Sequence, residues 1–374
     1  MRKRSPWAVA GIATMALSLA ACGSSSDKSN NSSGASGSSK PASGKVGVIL
    51  PDASTSPRWE SQDRPQLTAA LKNAGLTPDI QNAGGDKSKF GTICDGMINS
   101  GVKVLMIVNL DSESGTACLK KAQTAGVKTI DYDRLTLGGG ASYYVSFDNV
   151  AVGKLIGEGL QKCLTDKGKT SGVRIVYING DPTDNNAALF KQGYAAALQP
   201  LIASGKYKLV GDQTGNWDAT KAGTAFEQLY TQNGGKIDGV VSANDTMAQG
   251  IIARLKANNL NGKVPVTGQD ASTDGLRSIL TGDQCMTVYK SIKKEAAAAA
   301  ALSSALISGK DAGTIATGTV QDTVLKKAVP TALLTPQSIF KSNVKDVVTD
   351  GSATVAQLCA GAAYAATCKS LGIS

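Results

Sequence analysis

The chain has 374 residues, with 41% hydrophobic and 18% charged side chains, a formal net charge of +10 and no histidine. That balance suits a soluble globular protein, and the lack of His and of any CxxC pair speaks against a zinc or redox site. The basic residues are scattered, with no cluster interleaved with aromatics, so solvation or attraction to an anionic envelope explains the charge better than nucleic acid does.

The chain opens Met1-Arg2-Lys3-Arg4, continues through an apolar run over 7–21 and reaches Leu19-Ala20-Ala21-Cys22. A charged head, a short apolar core and a small-residue cleavage site make a secretory signal, and the run is too short for a convincing membrane span. Cysteine directly after the small pair resembles a bacterial lipoprotein signal, which implies removal of 1–21, acylation of Cys22 and anchoring on the outer face of the cytoplasmic membrane. An ordinary signal with an incidental cysteine is the competing reading. The segment 22–44, almost all Ser, Gly, Asn, Ala, Lys and Asp, argues for the anchor, since it has no apolar surface to bury and reads as a flexible tether. Loss of Arg2, Lys3 and Arg4 leaves 36 basic against 29 acidic residues, a net +7. Six cysteines remain after Cys22, an even number suited to disulfides in an oxidising compartment; spacing alone leaves their connectivity open.

From Lys45 onward short β-branched runs alternate with amphipathic helical stretches. Strands are expected over 46–50, 77–81, 104–108 and 129–132, with helices over 62–74, 88–100 and 115–125. The theme restarts at 143–147, with strands over 174–178, 208–212, 239–242, 264–268 and 286–288. Its helices cover 150–164, 185–201, 218–233, 246–257 and 275–280. This is the pattern of two doubly wound α/β lobes with parallel sheets. The alanine-rich stretch 294–306 is a strong helix by propensity, placed where paired lobes commonly exchange a terminal helix. The remainder, 319–374, is less regular and reads as a strap over the second lobe.

Open α/β sheets bind ligands outside the carboxyl ends of their strands. Residues just past the expected strands are Asp52, Arg58, Trp59, Asp133, Arg134, Asp181 to Asn186, Asn216, Trp217, Asn244, Asp245, Gln269, Asp270, Tyr289 and Lys290. Such a set suits a sugar: Asp accepts two hydroxyl protons, Arg and Lys donate several, Asn does both, and Trp offers a flat face for the apolar side of the ring. Structural roles compete at individual positions. Asp218 and Asp245 read better as helix caps, Trp59 or Trp217 alone could be core, and Asp133-Arg134 could be an ion pair. Their coincidence at equivalent strand ends of both lobes favours a site.

Pro57-Arg58-Trp59, Tyr132-Asp133-Arg134, Ser146-Phe147-Asp148-Asn149, Asp184-Asn185-Asn186-Ala187, Gly211-Asp212-Gln213, Ala243-Asn244-Asp245, Gly268-Gln269-Asp270-Ala271 and Met286-Thr287-Val288-Tyr289-Lys290 carry a family resemblance. In order and spacing, over about residues 45 to 350, they are similar to the bacterial xylose-binding proteins. These belong to the pentose and hexose branch of periplasmic binding proteins, which serve ABC importers. The resemblance implies a type I clamshell, two lobes joined by a three-strand hinge with crossovers near Ser146, Lys290 and Thr319. The first lobe would then be 45–146 plus 291–318, and the second 147–290 plus 319–374. It implies sugar contacts from Arg58, Trp59, Asp133, Arg134, Asp184, Asn185, Asn186, Trp217, Asn244, Asp270 and Lys290. It also implies a monomer without metal or cofactor that hands its sugar to a membrane permease. The implied fold favours Cys94 with Cys118, Cys163 with Cys285 and Cys359 with Cys368, each stabilising by about 2 to 4 kcal/mol. Two departures stand out: Ile107-Val108-Asn109-Leu110-Asp111 replaces a proline-bearing turn, and the cysteine-bearing tail beyond Gly351 is an addition.

Three rivals are weighed against this expectation. A sensor presenting glucose, galactose or arabinose to a membrane receptor or kinase would use the same closed surface. A sugar-converting enzyme lacks a nucleophile with its base. A sugar-responsive repressor would need a DNA-reading helix pair in place of the export signal.

Overall fold

The computed structural model describes residues 43–373. The expected signal over 1–21, Cys22 and all but the last two residues of the tether lie outside the described residues. The chain then runs β1 (Lys45–Leu50), α1 (Arg64–Asn73), β2 (Thr77–Asn82), α2 (Lys87–Asn99), β3 (Val104–Ile107), α3 (Ser112–Thr124), β4 (Lys128–Tyr132) and β5 (Tyr143–Phe147). Next come α4 (Asn149–Asp166), β6 (Val173–Asn179), α5 (Asn185–Ala203), β7 (Tyr207–Thr214), α6 (Ala219–Gln232), β8 (Gly239–Ser242), α7 (Asp245–Ala257), α8 (Thr273–Thr281) and β9 (Met286–Tyr289). The last third holds α9 (Ile292–Ser308), β10 (Gly318–Asp322), β11 (Lys327–Leu334), β12 (Gln337–Phe340) and three short helices, Lys345–Thr349, Val355–Cys359 and Ala362–Ser370.

The first lobe is built on a seven-stranded sheet in the order β10-β11-β5-β4-β3-β1-β2, parallel except for the β10 edge. Alternate residues of one strand feed different cores, as a sheet covered on both faces requires. Val46, Val48 and Leu50 pack with Leu67 and Leu71 of α1 and with Ala296, Ala299 and Leu302 of α9. Ile49, Leu105 and Ile107 pack on the opposite face with Phe90, Met97 and Leu119. The alanine-rich helix thus sits on the first lobe although it follows the second in sequence.

The second lobe carries β7-β6-β8 and, beside it, the antiparallel pair β12-β9. The strand expected over 264–268 is reduced to isolated bridges, Val240 with Val266 and Gln269 with Val288. Pro265 has no N–H to give, so the segment bonds only through its carbonyl and Thr267 N to Val240 before passing across to β9. It still joins the two groups of strands.

The third crossover departs from expectation. Residues 318–334 form a hairpin whose second strand pairs in parallel with β5, so this stretch belongs to the first sheet and not to the second lobe. The chain crosses between Leu334 and Gln337, not near Thr319. Beyond Phe340 the tail packs Val344, Val347, Leu358 and Ile373 against Leu276, Ile279 and Leu280 of α8. Disulfides join Cys94 to Cys118 between α2 and α3, Cys163 to Cys285 across the second lobe, and Cys359 to Cys368 within the tail.

Helices α4 and α5 cross so closely that a Cβ on Gly153 would lie 2.1 Å from the carbonyl oxygen of Phe190, and one on Gly193 would lie 2.2 Å from that of Val150. This contact brings their N-termini together, where Asn149 Nδ2 donates to Asn186 Oδ1 at 2.9 Å.

Two buried carboxyls lie under the strand ends. Asp131 accepts from Thr136 N and Oγ1, and Asp245 accepts from Gln284, Thr287 and the Ser272 N–H, fastening α7, α8 and β9 together. Asp245 is therefore a bracket and not a cap; the cap of α7 is Asn244, whereas Asp218 does cap α6. Burial pushes both Asp131 and Asp245 up from 3.8 to about 7. Each holds its proton in the fold over a range where the unfolded chain has released it. The associated stability is complete below 3.8 and vanishes as pH rises through about 7. Half-buried ion-paired carboxylates such as Asp79 and Asp283 act in the opposite sense, in acid. The urea midpoint is therefore expected to be lower at about pH 9 than at about pH 5.5. Equal midpoints would show both carboxyls to be ionised in the fold.

Candidate functional site

The carboxyl ends of both sheets face each other across one cleft. A π-helical turn, Trp59–Asp63, follows the loop after β1 and starts directly after Arg58. Asp133 and Arg134 leave β4, while Asp184 and Asn186 open α5, with Asp184 capping the helix through the Asn186 N–H. Trp217 precedes α6, Asn244 caps α7, Asp270 follows the bridging segment and Lys290 follows β9. All of these line the cleft, joined by Thr55, Ser56, Phe190 and Gln269.

Of the expected contacts, the structure leaves out Asn185. Successive helical residues point about 100° apart, so Asn186 alone turns inward. Phe190 was missed by sequence reasoning. It lies four residues after Asn186 on the same face of α5, and an apolar residue there reads as core. Its ring meets Trp217 edge-on at 6.2 Å. Gln269 was legible as a strand-end residue. The departing turn after β3 supports the site from behind: the Asn109 carbonyl accepts from Arg134, and Asn109 Nδ2 holds Thr136.

Local backbone geometry is unusual at the same positions. Asp133, Trp217 and Asp270 have φ of 62°, 58° and 100°, in the left-handed region that residues with side chains seldom adopt. Gly180 makes room for the indole, because a Cβ there would lie 2.0 Å from the Trp217 ring.

The charges form one network. Arg58 donates to both oxygens of Asp63, to Asp133 at 2.9 Å and to Glu295 at 3.0 Å. Lys290 Nζ donates to Asp133 at 3.0 Å. Burial alone would raise the pKa of Asp133, but Lys290, Arg58 and Arg134 hold it well below the ordinary carboxylate value. Glu295 shows the reverse balance: burial outweighs Arg58 and holds its pKa well above the ordinary carboxylate value. Burial likewise raises Asp184 against the pull of Arg134, and Asp270 against that of Lys290 and Arg58.

Several contacts cross between the lobes. Asn186 Nδ2 donates to the Asp133 carbonyl and carboxylate, Ser56 Oγ donates to Asp270 at 2.8 Å, and Asn244 Nδ2 donates to the Thr55 carbonyl. Arg134 Nε lies 2.9 Å from Asp184 Oδ2, an ion pair whose N–H is not aligned for a hydrogen bond. The cleft is closed. Among the described residues no group of His, Cys, Asp or Glu is arranged to hold a metal, and no helix is long and apolar enough to cross a membrane.

Residues 46–311 match the periplasmic binding protein domain family. The chain is 36% identical over 312 residues to the D-xylose-binding periplasmic protein of Escherichia coli (strain K12), covering 82% of this chain and 90% of that protein. It is 33% identical over 324 residues to a multiple sugar-binding periplasmic receptor of Rhizobium radiobacter, with the same coverage. A carbohydrate transporter solute binding protein from Chloroflexus aurantiacus, solved with D-glucose, superimposes with a TM-score of 0.76 at 29% identity, over 83% of this chain and 97% of that one. By that match and those identities, the protein belongs to the periplasmic binding proteins, among the non-enzymatic sugar-binding components of ABC importers.

Proposed function

We propose that the cleft captures a single monosaccharide, D-xylose before others, and delivers it to the permease of an ABC importer. In this reading the chain is exported, carries a lipid on Cys22, stands off the outer face of the cytoplasmic membrane on its tether and works as a monomer. The observation that carries the sugar assignment is the alternation of donors and acceptors drawn from both lobes around two indoles. Arg58, Asp133 and Arg134 come from the first lobe, and Asp184, Asn186, Trp217, Asn244 and Asp270 from the second, with Lys290 at the hinge. Adjacent ring hydroxyls donate to one neighbour and accept from the next, so such a set satisfies them in pairs. The indole N–H groups of Trp59 and Trp217 are buried without a protein acceptor, and hydroxyl oxygens would supply one. Trp59 has the Arg58 guanidinium 4.4 Å from its ring centroid, so Trp217 is the better platform for the apolar face of a sugar.

Closure follows from the same geometry. A ligand touching one lobe alone gains nothing from closing, whereas one that bonds to both shifts the equilibrium towards the closed form. Names of the relatives point to xylose and to several sugars, and the solved relative holds D-glucose, so D-glucose is the comparison ligand.

Calorimetric titration with D-xylose and D-glucose tests the assignment. Binding of D-xylose at least about tenfold tighter, about 1.4 kcal/mol, is expected; equal or reversed affinities would set xylose aside. Trp217→Ala and Asp270→Ala are each expected to weaken binding about tenfold or more. Gly180→Ala should do so by displacing the indole without removing it.

A second contrast separates the charges. Asp133→Asn removes the anion that Arg58 and Lys290 share; Arg58 keeps Asp63, but Lys290 loses its hydrogen-bonded carboxylate. Removing one partner of a buried charge pair costs about 2 to 5 kcal/mol, so affinity should fall about a hundredfold or more. Glu295→Gln keeps the size of a side chain whose pKa burial raises, and keeps an acceptor oxygen for Arg58, so affinity should stay within about threefold of the parent. Titrations giving both variants the same affinity would contradict this division of charge.

A further inference from the structure

The C-terminal tail lies beyond residues 46–311, the part that matches the family domain, and does not line the sugar cleft, yet it touches both segments that deliver the cations facing Asp133. Asp350 Oδ2 accepts from Tyr289 OH and, at 2.6 Å, from Ser291 Oγ. These are the two neighbours of Lys290, whose Nζ reaches the other way to Asp133. Two residues further on, the Ser352 carbonyl accepts from Gln62 Nε2 at 2.8 Å, and Ser352 Oγ lies 2.5 Å from Tyr289 OH. Gln62 belongs to the turn Trp59–Asp63 of the first lobe, directly after Arg58.

The tail itself is firmly seated on the second lobe. Val347, Leu358 and Ile373 are buried against α8, the Arg277 guanidinium lies 5.0 Å from the Tyr364 ring centroid, and Cys359–Cys368 closes its last turn. A segment fixed to one lobe that bonds the hinge and the opposite lobe resists opening at two points.

We propose that residues 344–373 form a strap in which Asp350 is a positioning residue for Lys290 and the Ser352 carbonyl latches the closed cleft through Gln62. The inference rests on the sugar-binding reading above and deepens it. The strap acts on how long the sugar stays, because the Gln62 bond spans lobes that separate on opening, whereas entry into the open form does not meet it.

The test uses the full mature chain, calorimetry with D-xylose, and a chase of bound radiolabelled D-xylose to time release. Asp350→Ala is expected to raise Kd about tenfold through faster release, while Asp350→Asn, which keeps an acceptor oxygen for Tyr289 and Ser291, should restore it to within about threefold. Gln62→Ala should release sugar about threefold to tenfold faster, with association and the sugar-free melting temperature unchanged. A role in stability alone would move the melting temperature and leave the release rate where it was. If Asp350→Ala does not fold, the partly exposed Gln62 still decides the question. A parent protein that binds D-xylose while the folded variants release it at the parent rate overturns the strap. A parent that binds no monosaccharide overturns the functional reading on which the strap rests.

Discussion

A carboxylate taken out of water survives as an anion only where cations and donors close around it, and the surroundings of Asp133 set the form of the whole cleft. Arg58, Lys290 and Asn186 reach it from 75, 157 and 53 residues away in sequence. One comes from the loop after the first strand, one from the hinge and one from the opposite lobe. The two halves of the protein thus share Asp133, beside the Ser56–Asp270 and Arg134–Asp184 contacts that also pass between them. Arg58 depends in turn on Asp63 and Glu295, and Glu295 arrives on α9, whose small alanines let it lie close against the first sheet. A helix without contact to the cleft surface therefore sets the angle of the arginine that forms its floor.

Rigidity around this centre is maintained against local backbone strain. Left-handed geometry at Asp133, Trp217 and Asp270 costs about 1 to 3 kcal/mol at each position, and it persists because neighbouring bonds overdetermine it. The Asp133 carbonyl alone accepts from Tyr144, Ser146 and Asn186. Each strained residue stands where the chain leaves a strand and must turn a side chain back over the sheet end. The strain is concentrated where a fixed direction is needed most.

Much of this was legible in the sequence. Strands and helices of both lobes follow from the alternation of apolar runs, and the strand-end rule alone identifies nearly all the residues that converge. What it does not resolve has identifiable causes. The 264–268 run looks like a strand by composition, yet Pro265 interrupts its ladder. The hairpin over 318–334 pairs with β5, nearly 200 residues earlier, and no local pattern reports a partner that distant. Asn185 and Asn186 are equivalent in type, and only the helical phase chooses between them. Asp63 and Glu295 are invisible for a different reason: they act on Arg58 from behind, and a charge in an amphipathic stretch reads as solvated until the fold buries it.

The placement of the aromatic residues has a practical consequence. The chain holds three tryptophans, and the two among the described residues are Trp59 and Trp217. Both rings are nearly shielded from solvent in the cleft, at 2% and 6% exposure, one against guanidinium groups and the other against Phe190. Among the described residues, long-wavelength ultraviolet emission therefore originates at the lobe interface. Occupancy and gape can be followed by the unlabelled molecule's own light, with one chromophore reporting from each side.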